Sequence, residues 1–158
     1  LNVVFLDVDG VLNYDGCKDK FGQYIGVDDV LVERLAKIVK SANAQIVLTS
    51  SWKELWLEDM PPGEIHPMAR YLLEKLKKQG LHIADRTDDN GWDRGKGIRK
   101  WMRHVSTSNI DGWVVLDDEV FRDYESEGII PHLIRTNFCC GLTDADVDLA
   151  IKILNEKK

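Results

Sequence analysis

Val3-Val4-Phe5-Leu6-Asp7-Val8-Asp9-Gly10-Val11-Leu12-Asn13 decides the reading of this 158-residue chain. Its first four residues are apolar, and β-branched and aromatic side chains without polar interruption predict a buried strand. The run stops at two carboxylates and a glycine. In extended backbone, residues two apart point the same way, so Asp7 and Asp9 can face one site at the strand's carboxyl end. Like charges held together repel each other, and a divalent cation with phosphate chemistry would give them a reason to be there.

Three further segments follow in order. Ile46-Val47-Leu48-Thr49-Ser50-Ser51 is a second apolar strand that ends in hydroxyls. Arg94-Gly95-Lys96-Gly97 sets a lysine just before an amphipathic segment, and Trp113-Val114-Val115-Leu116-Asp117-Asp118 is another apolar strand ending in paired carboxylates. The ordered set resembles the haloacid dehalogenase (HAD) superfamily, most of whose members are magnesium-dependent phosphohydrolases, and the resemblance spans residues 3 to 118. More narrowly, the Phe5–Asn13 run, Leu48-Thr49-Ser50-Ser51-Trp52, Lys96-Gly97 and Gly141-Leu142-Thr143 look like the HAD domain attached to some RNA-repair proteins. That resemblance implies removal of a phosphate from a nucleic-acid end.

Periodicity predicts the rest of the fold. Val30, Leu31, Leu35, Ile38 and Val39 recur at helical spacing after an Asp28 or Asp29 cap, giving a helix to about Lys40. Ala44–Leu48 reads as a strand, and Trp52, Leu55 and Trp56 as a short helix ending before the Pro61-Pro62-Gly63 turn. Met68, Leu72, Leu73 and Leu76 make a helix closed by Gly80, and Leu81–Ala84 a short strand. A helix carrying Ile98, Trp101, Met102 and Val105 begins near Gly95, strands follow at Trp113–Leu116 and His132–Arg135, and a Thr143/Asp146 capping box opens the last helix. Alternating strands and helices predict an α/β doubly wound, Rossmann-like parallel sheet flanked by helices, with residues 1–158 as a single HAD-like catalytic domain. The candidate groups then fall at strand carboxyl ends or a helix start, where such sheets bind ligands. The family's two cap positions hold segments too short for a domain, so the chain reads as capless, with a small flap at Asn13–Tyr24.

The resemblance implies a role for each residue. Asp7 would be the nucleophile, forming an aspartyl-phosphate that divides one displacement into two easier steps. A capping role suits Asp7 poorly, because another acid follows it and no helix does. Asp9 would be general acid and then general base, with its main-chain carbonyl on the metal. Gly10 would allow a sharp turn and a close approach of backbone N–H groups to phosphate. Thr49, the first polar residue after its strand, would donate to a phosphoryl oxygen, with Ser50 the rival and helix capping an alternative for Ser50 or Ser51. Lys96 would hold the nucleophile and the phosphoryl charge, although considered alone it reads as a surface lysine. Asp117 would bind Mg²⁺ directly, with Asp118 acting through water or orienting Lys96. Gly91-x-x-x-Gly95-Lys96-Gly97 is one residue short of a P-loop, and the glycine of Asp7-Val8-Asp9-Gly10 comes too early for an EF-hand.

Composition sets the outer limits. Hydrophobic residues make up 44% and charged residues 30%, ordinary for a globular protein, and no apolar run reaches the ~20 residues of a membrane helix. Three cysteines, two of them adjacent, predict reduced thiols in a cytoplasmic protein, and four scattered histidines argue against zinc. A net charge of −6 disfavours non-specific nucleic-acid binding. Lys96, Arg99, Lys100 and Arg103 form a basic helical stripe whose plainer reading is a solvated face. Trp101 and Trp113 read as core, whereas Trp52, Trp56 and Trp92 are placed to line a substrate entrance. The leading expectation is a Mg²⁺-dependent phosphomonoesterase whose open site suits a large phosphorylated substrate, either an oligonucleotide end or a protein. The alternative in another class is a non-catalytic HAD-like binding module, against which the intact Asp-x-Asp pair argues.

Overall fold

The computed structural model describes residues 1–55 and 65–156. In chain order, β1 (Asn2–Leu6) leads through a hairpin, β2 (Lys20–Phe21) and β3 (Tyr24–Ile25), to α1 (Asp29–Ala42) and β4 (Ala44–Leu48). A 3₁₀ turn at Ser51–Leu55 is followed by α2 (Pro67–Lys77), β5 (Ile83–Arg86), α3 (Arg94–His104), β6 (Gly112–Asp117), β7 (Leu133–Arg135) and α4 (Asp144–Asn155). Five strands form one parallel sheet in the order β5-β4-β1-β6-β7, the doubly wound arrangement the alternation predicts.

The period-2 alternation of the strands divides the core in two. Val4, Leu6, Ile46, Leu48, Val114 and Leu116 pack with Leu31, Leu35 and Ile38 of α1, Leu72 and Leu76 of α2, and Val147 and Leu154 of α4. Val3, Phe5, Val47, Trp113 and Val115 face the other way, onto Ile98, Trp101 and Met102 of α3 and onto Tyr124 and Ile129. Phe5 meets Trp101 and Trp113 edge-on, at centroid distances of 5.5 and 6.1 Å. Both of these tryptophans are core, as expected.

Local chemistry sets the element ends. Asp28 accepts from Val30 N–H to start α1, and Asn43 closes it in the left-handed region with φ +48°. The capping box of α4 is complete, with Asp146 N–H on Thr143 Oγ1 and Thr143 N–H on Asp146 Oδ2. The fifth strand begins at Ile83 and not Leu81, because Leu81 N–H turns back to the Leu76 carbonyl to finish α2. His132 belongs to a 3₁₀ turn ahead of β7. The Asn13–Tyr24 flap contains the β2–β3 hairpin, too short for periodicity to reveal, and it docks on α2 through Phe21 and Tyr71, 5.4 Å apart. The expected helix at Trp52–Trp56 is the 3₁₀ turn as far as Leu55; Trp56, Met60 and Pro61-Pro62-Gly63 lie outside the described residues.

Candidate active site

β1 is the central strand, and the chain builds outward from it through β4 and β5 before crossing back to β6 and β7. Ligand crevices form where strand order reverses in this way. The in-register pair Leu6 and Leu116 delivers Asp7 and Asp117 side by side, and Asp7 N–H bonds to the Leu116 carbonyl at 2.9 Å. Ligand oxygens of Asp7, Asp117 and Asp118 lie within 4.8 Å of one another. Asp7 and Asp117 are buried and Asp118 is half-buried. Burial, then Asp117, raises the pKa of Asp7 well above the ordinary carboxyl range; Arg94 pulls it down, Asp118 pushes it up and a Ser50 hydrogen bond lowers it. Asp118 is raised as well, by burial and then by Asp117.

One buried cation enters this cluster. Arg94 Nη1 is 2.8 Å from Asp117 Oδ2 and 3.4 Å from Asp7 Oδ1, with its guanidinium 4.1 Å from the Phe121 ring centre. Burial opposes its charge, and Asp117 and Asp7 more than offset that, so its pKa is raised. Tyr124, fully buried, donates to the same Asp117 oxygen at 2.7 Å, and burial and Asp117 push its hydroxyl pKa upward, so it stays a donor. Asp117 Oδ1 accepts from Glu119 N–H at 3.0 Å. Arg94 is aimed by the start of α3, where Asp123 accepts from Gly95 and Lys96 N–H at 3.0 and 2.8 Å. A Cβ on Gly95 would lie 2.9 Å from the Asp123 carboxylate.

The cluster opens into a cavity of about 310 Å³ lined by Asp7, Asp9, Ser51, Arg94, Asp118, Glu119 and Phe138. Asp9 is exposed there, and its carboxylate accepts from Asn13 Nδ2 at 2.9 Å and from Trp52 Nε1 at 3.2 Å. Phe138, 40% exposed, stands at the rim on a loop tied to the flap by Asp15 N–H.

The family described as the HAD domain in Swiss Army Knife RNA repair proteins matches residues 3–147. The chain belongs to that family. The HAD domain is also similar to YdaT of Bacillus subtilis (strain 168), described as uncharacterized, with 32% identity over 79 residues, 44% of this chain and 53% of YdaT. The match thus spans about half of that protein's length. No solved structure matches.

Three converging carboxylates, all hard oxygen donors and with the pKa values of Asp7 and Asp118 raised, fit a divalent metal such as Mg²⁺. A second convergence in the HAD domain, Cys17, Asp19 and Asp28, is already engaged: Asp28 caps α1 and Asp19 pairs with Lys75 at 3.5 Å.

Several expected site residues sit differently. Lys96 is not in the cluster; its side chain is 64% exposed, with Nζ 3.8 Å from Asp93. The helix begins one residue before Gly95, and that turn of the first residues points Arg94 inward and Lys96 outward. Gly10 N–H is taken by Asn13 Oδ1 at 2.8 Å and is not offered to a phosphate. The glycine is needed for its φ of +77° and because a Cβ would lie 2.3 Å from Asp118 Oδ2. Thr49 and Ser50 are both fully buried; Ser50 bonds to Asp7, whereas the Thr49 hydroxyl has no partner. Ser51 is the hydroxyl on the cavity wall. Trp52 is 4% exposed and lines no entrance, while Trp92 is 70% exposed. In the basic stripe, Arg99 is a structural residue that donates to the Glu127 carbonyl at 2.6 Å and lies over Trp113. Arg94, Asn13 and Tyr124 are the residues sequence reasoning passed over. A buried-size arginine next to a glycine at a helix start was the available signal for Arg94.

Among the described residues, no helix is long and apolar enough to cross a membrane.

Proposed function

We propose that this HAD domain is a divalent-metal-dependent phosphomonoesterase. The observation that carries the reading is the Asp7, Asp117 and Asp118 cluster at the strand-order reversal, with Arg94 buried against it. Asp7 would attack phosphorus through one carboxylate oxygen, forming the P–O bond of an aspartyl-phosphate as the ester P–O bond breaks. Asp9, which lines the same cavity, would give its proton to the departing oxygen and then take one from the water that releases phosphate. Arg94 would neutralise charge on Asp7 and the transferring group, and the unpartnered Thr49 hydroxyl supports a donor role towards phosphate. Mg²⁺, when bound by the carboxylates, would supply charge neutralisation at the phosphoryl oxygens.

Membership of a family described from RNA repair proteins supports a phosphorylated nucleic-acid end as the substrate, ahead of a protein. The test is turnover of sugar phosphates, nucleotides and 3′-phosphorylated oligonucleotides with Mg²⁺ and with chelator. Metal-dependent release of phosphate, best from the oligonucleotide, is the expected result. Full activity in chelator would overturn the metal assignment, and binding without turnover of any ester would favour the non-catalytic module.

A further inference from the structure

Trp52 does not line the cavity, yet its indole nitrogen is 3.2 Å from each carboxylate oxygen of Asp9. We propose that Trp52 is a positioning residue that aims the Asp9 carboxyl at the leaving group; this rests on the phosphatase reading. Asp9 lies beyond the end of β1, the exposed residue of an otherwise buried turn, with no strand partner to hold it. Trp52 supplies what the turn lacks. It follows β4 directly, in the 3₁₀ turn, with its main-chain N–H on Ser50 Oγ at 3.2 Å and its ring buried in the same core as Leu12 and Leu48. A buried indole has a single N–H to satisfy, and here the acceptor is a carboxylate.

Asn13 is the second arm. It is fully buried, and its amide is locked in place: Oδ1 accepts from Gly10 N–H at 2.8 Å, and Nδ2 donates to the Gly26 carbonyl and to Asp9 Oδ1, both at 2.9 Å. An indole N–H and an amide NH₂ only donate, so the lone pairs they meet on Asp9 cannot carry a proton. Oδ1 faces two donors, whereas Oδ2 has only its share of the Trp52 N–H. Oδ2 is therefore the oxygen left with a free lone pair. A carboxyl fixed in this way reaches the leaving oxygen with little rotational freedom left to lose.

The consequence is selective. Proton transfer matters for an alkoxide, which departs poorly, and little for a nitrophenolate, which departs unaided. Trp52→Phe keeps the ring and removes the N–H. With Mg²⁺, its kcat on glycerol phosphate is expected to fall by roughly 10- to 100-fold, while kcat on p-nitrophenyl phosphate falls by less than about threefold. In the ¹⁵N-labelled protein, the indole resonance missing from Trp52→Phe should shift in Asp9→Ala, which removes the acceptor without touching the tryptophan. Equal losses on the two esters, or an unmoved resonance, would overturn the role. Wild-type protein that hydrolyses neither ester would remove the phosphatase reading and this role with it, whereas turnover with equal losses would remove this role alone.

Discussion

At Asp7, burial and the neighbouring carboxylates work against ionisation, and Arg94 with a Ser50 hydrogen bond works for it. Replacing that carboxyl with an amide keeps the shape and removes the proposed nucleophile. Asp7→Asn is expected to lower turnover by ~10⁴-fold or more and to abolish acid-stable labelling of the protein by substrate phosphate. Near-normal turnover would assign the nucleophile elsewhere. Arg94 and Lys96 separate two roles that one motif had merged. Arg94→Met should cost roughly 10²- to 10³-fold in kcat, the scale of losing one electrostatic stabiliser, whereas Lys96→Ala should stay within about twofold. Assays of the pair side by side decide between the exposed lysine and the buried arginine. The acids were legible because a strand-end carboxylate interrupts an apolar run that has no other use for it. Arg94 was not, since one residue of uncertainty at a helix start rotates the inward-facing position by about 100°. Gly10 was legible as a glycine site, although its reason, the Asp118 carboxylate packed where a Cβ would be, exists only after folding.

α3 shows how an element's end can serve a site on another strand. Its own N-cap residue, Asp93, makes no side-chain cap bond, and the cap is supplied from outside by Asp123. Asp123→Ala should cost about 1–2 kcal/mol of stability and also lower kcat, because Arg94 loses its fixed direction. Thermal melts and turnover on one preparation check both, and a stability loss without a rate loss would unlink cap from site. Long periodic elements were readable to within a residue or two: α1, α2 and β4 bury the faces their sequences mark, apart from Val30 in the first turn of α1, which is exposed. Two-residue strands such as β2 and β3 offer no period, and the 121–128 segment that brings Asp123 and Tyr124 to the site has no regular structure to announce it. Arg99 looked like a free member of a basic stripe because periodicity shows which way a side chain leaves its helix and not which carbonyls wait there. With Arg99 holding the Glu127 and Gly128 carbonyls, its reversal to Glu would disturb packing before it affected any ligand.

For the whole molecule, the cluster ties stability to pH and, under the proposed function, to metal. Asp7 and Asp118 hold protons more tightly in the native chain than in the unfolded one, so their contribution to metal-free stability declines as pH climbs from the ordinary carboxyl range through the raised values. Asp7→Asn removes that penalty, and without metal it should melt above the wild type by a margin that widens with pH. Mg²⁺ should reverse the order, since only the intact cluster gains from it, by about 2.7 kcal/mol at a hundredfold excess over Kd. Melts of both proteins across that pH range, with Mg²⁺ and with chelator, measure the crossing; parallel curves would show that the carboxylates do not act as one site. The central place of β1 has a separate consequence, for the order of synthesis. Val3–Leu6 leaves the ribosome before either of its neighbours, and one edge waits for Ala44–Leu48 while the other waits until Gly112–Asp117 has emerged. Until Gly112–Asp117 has emerged, this apolar strand has an open side. A chain released at residue 105 should aggregate, whereas one released after α4 should not, and trigger factor or a similar holding chaperone should crosslink to Val3–Leu6 on every nascent chain that stops short of β6.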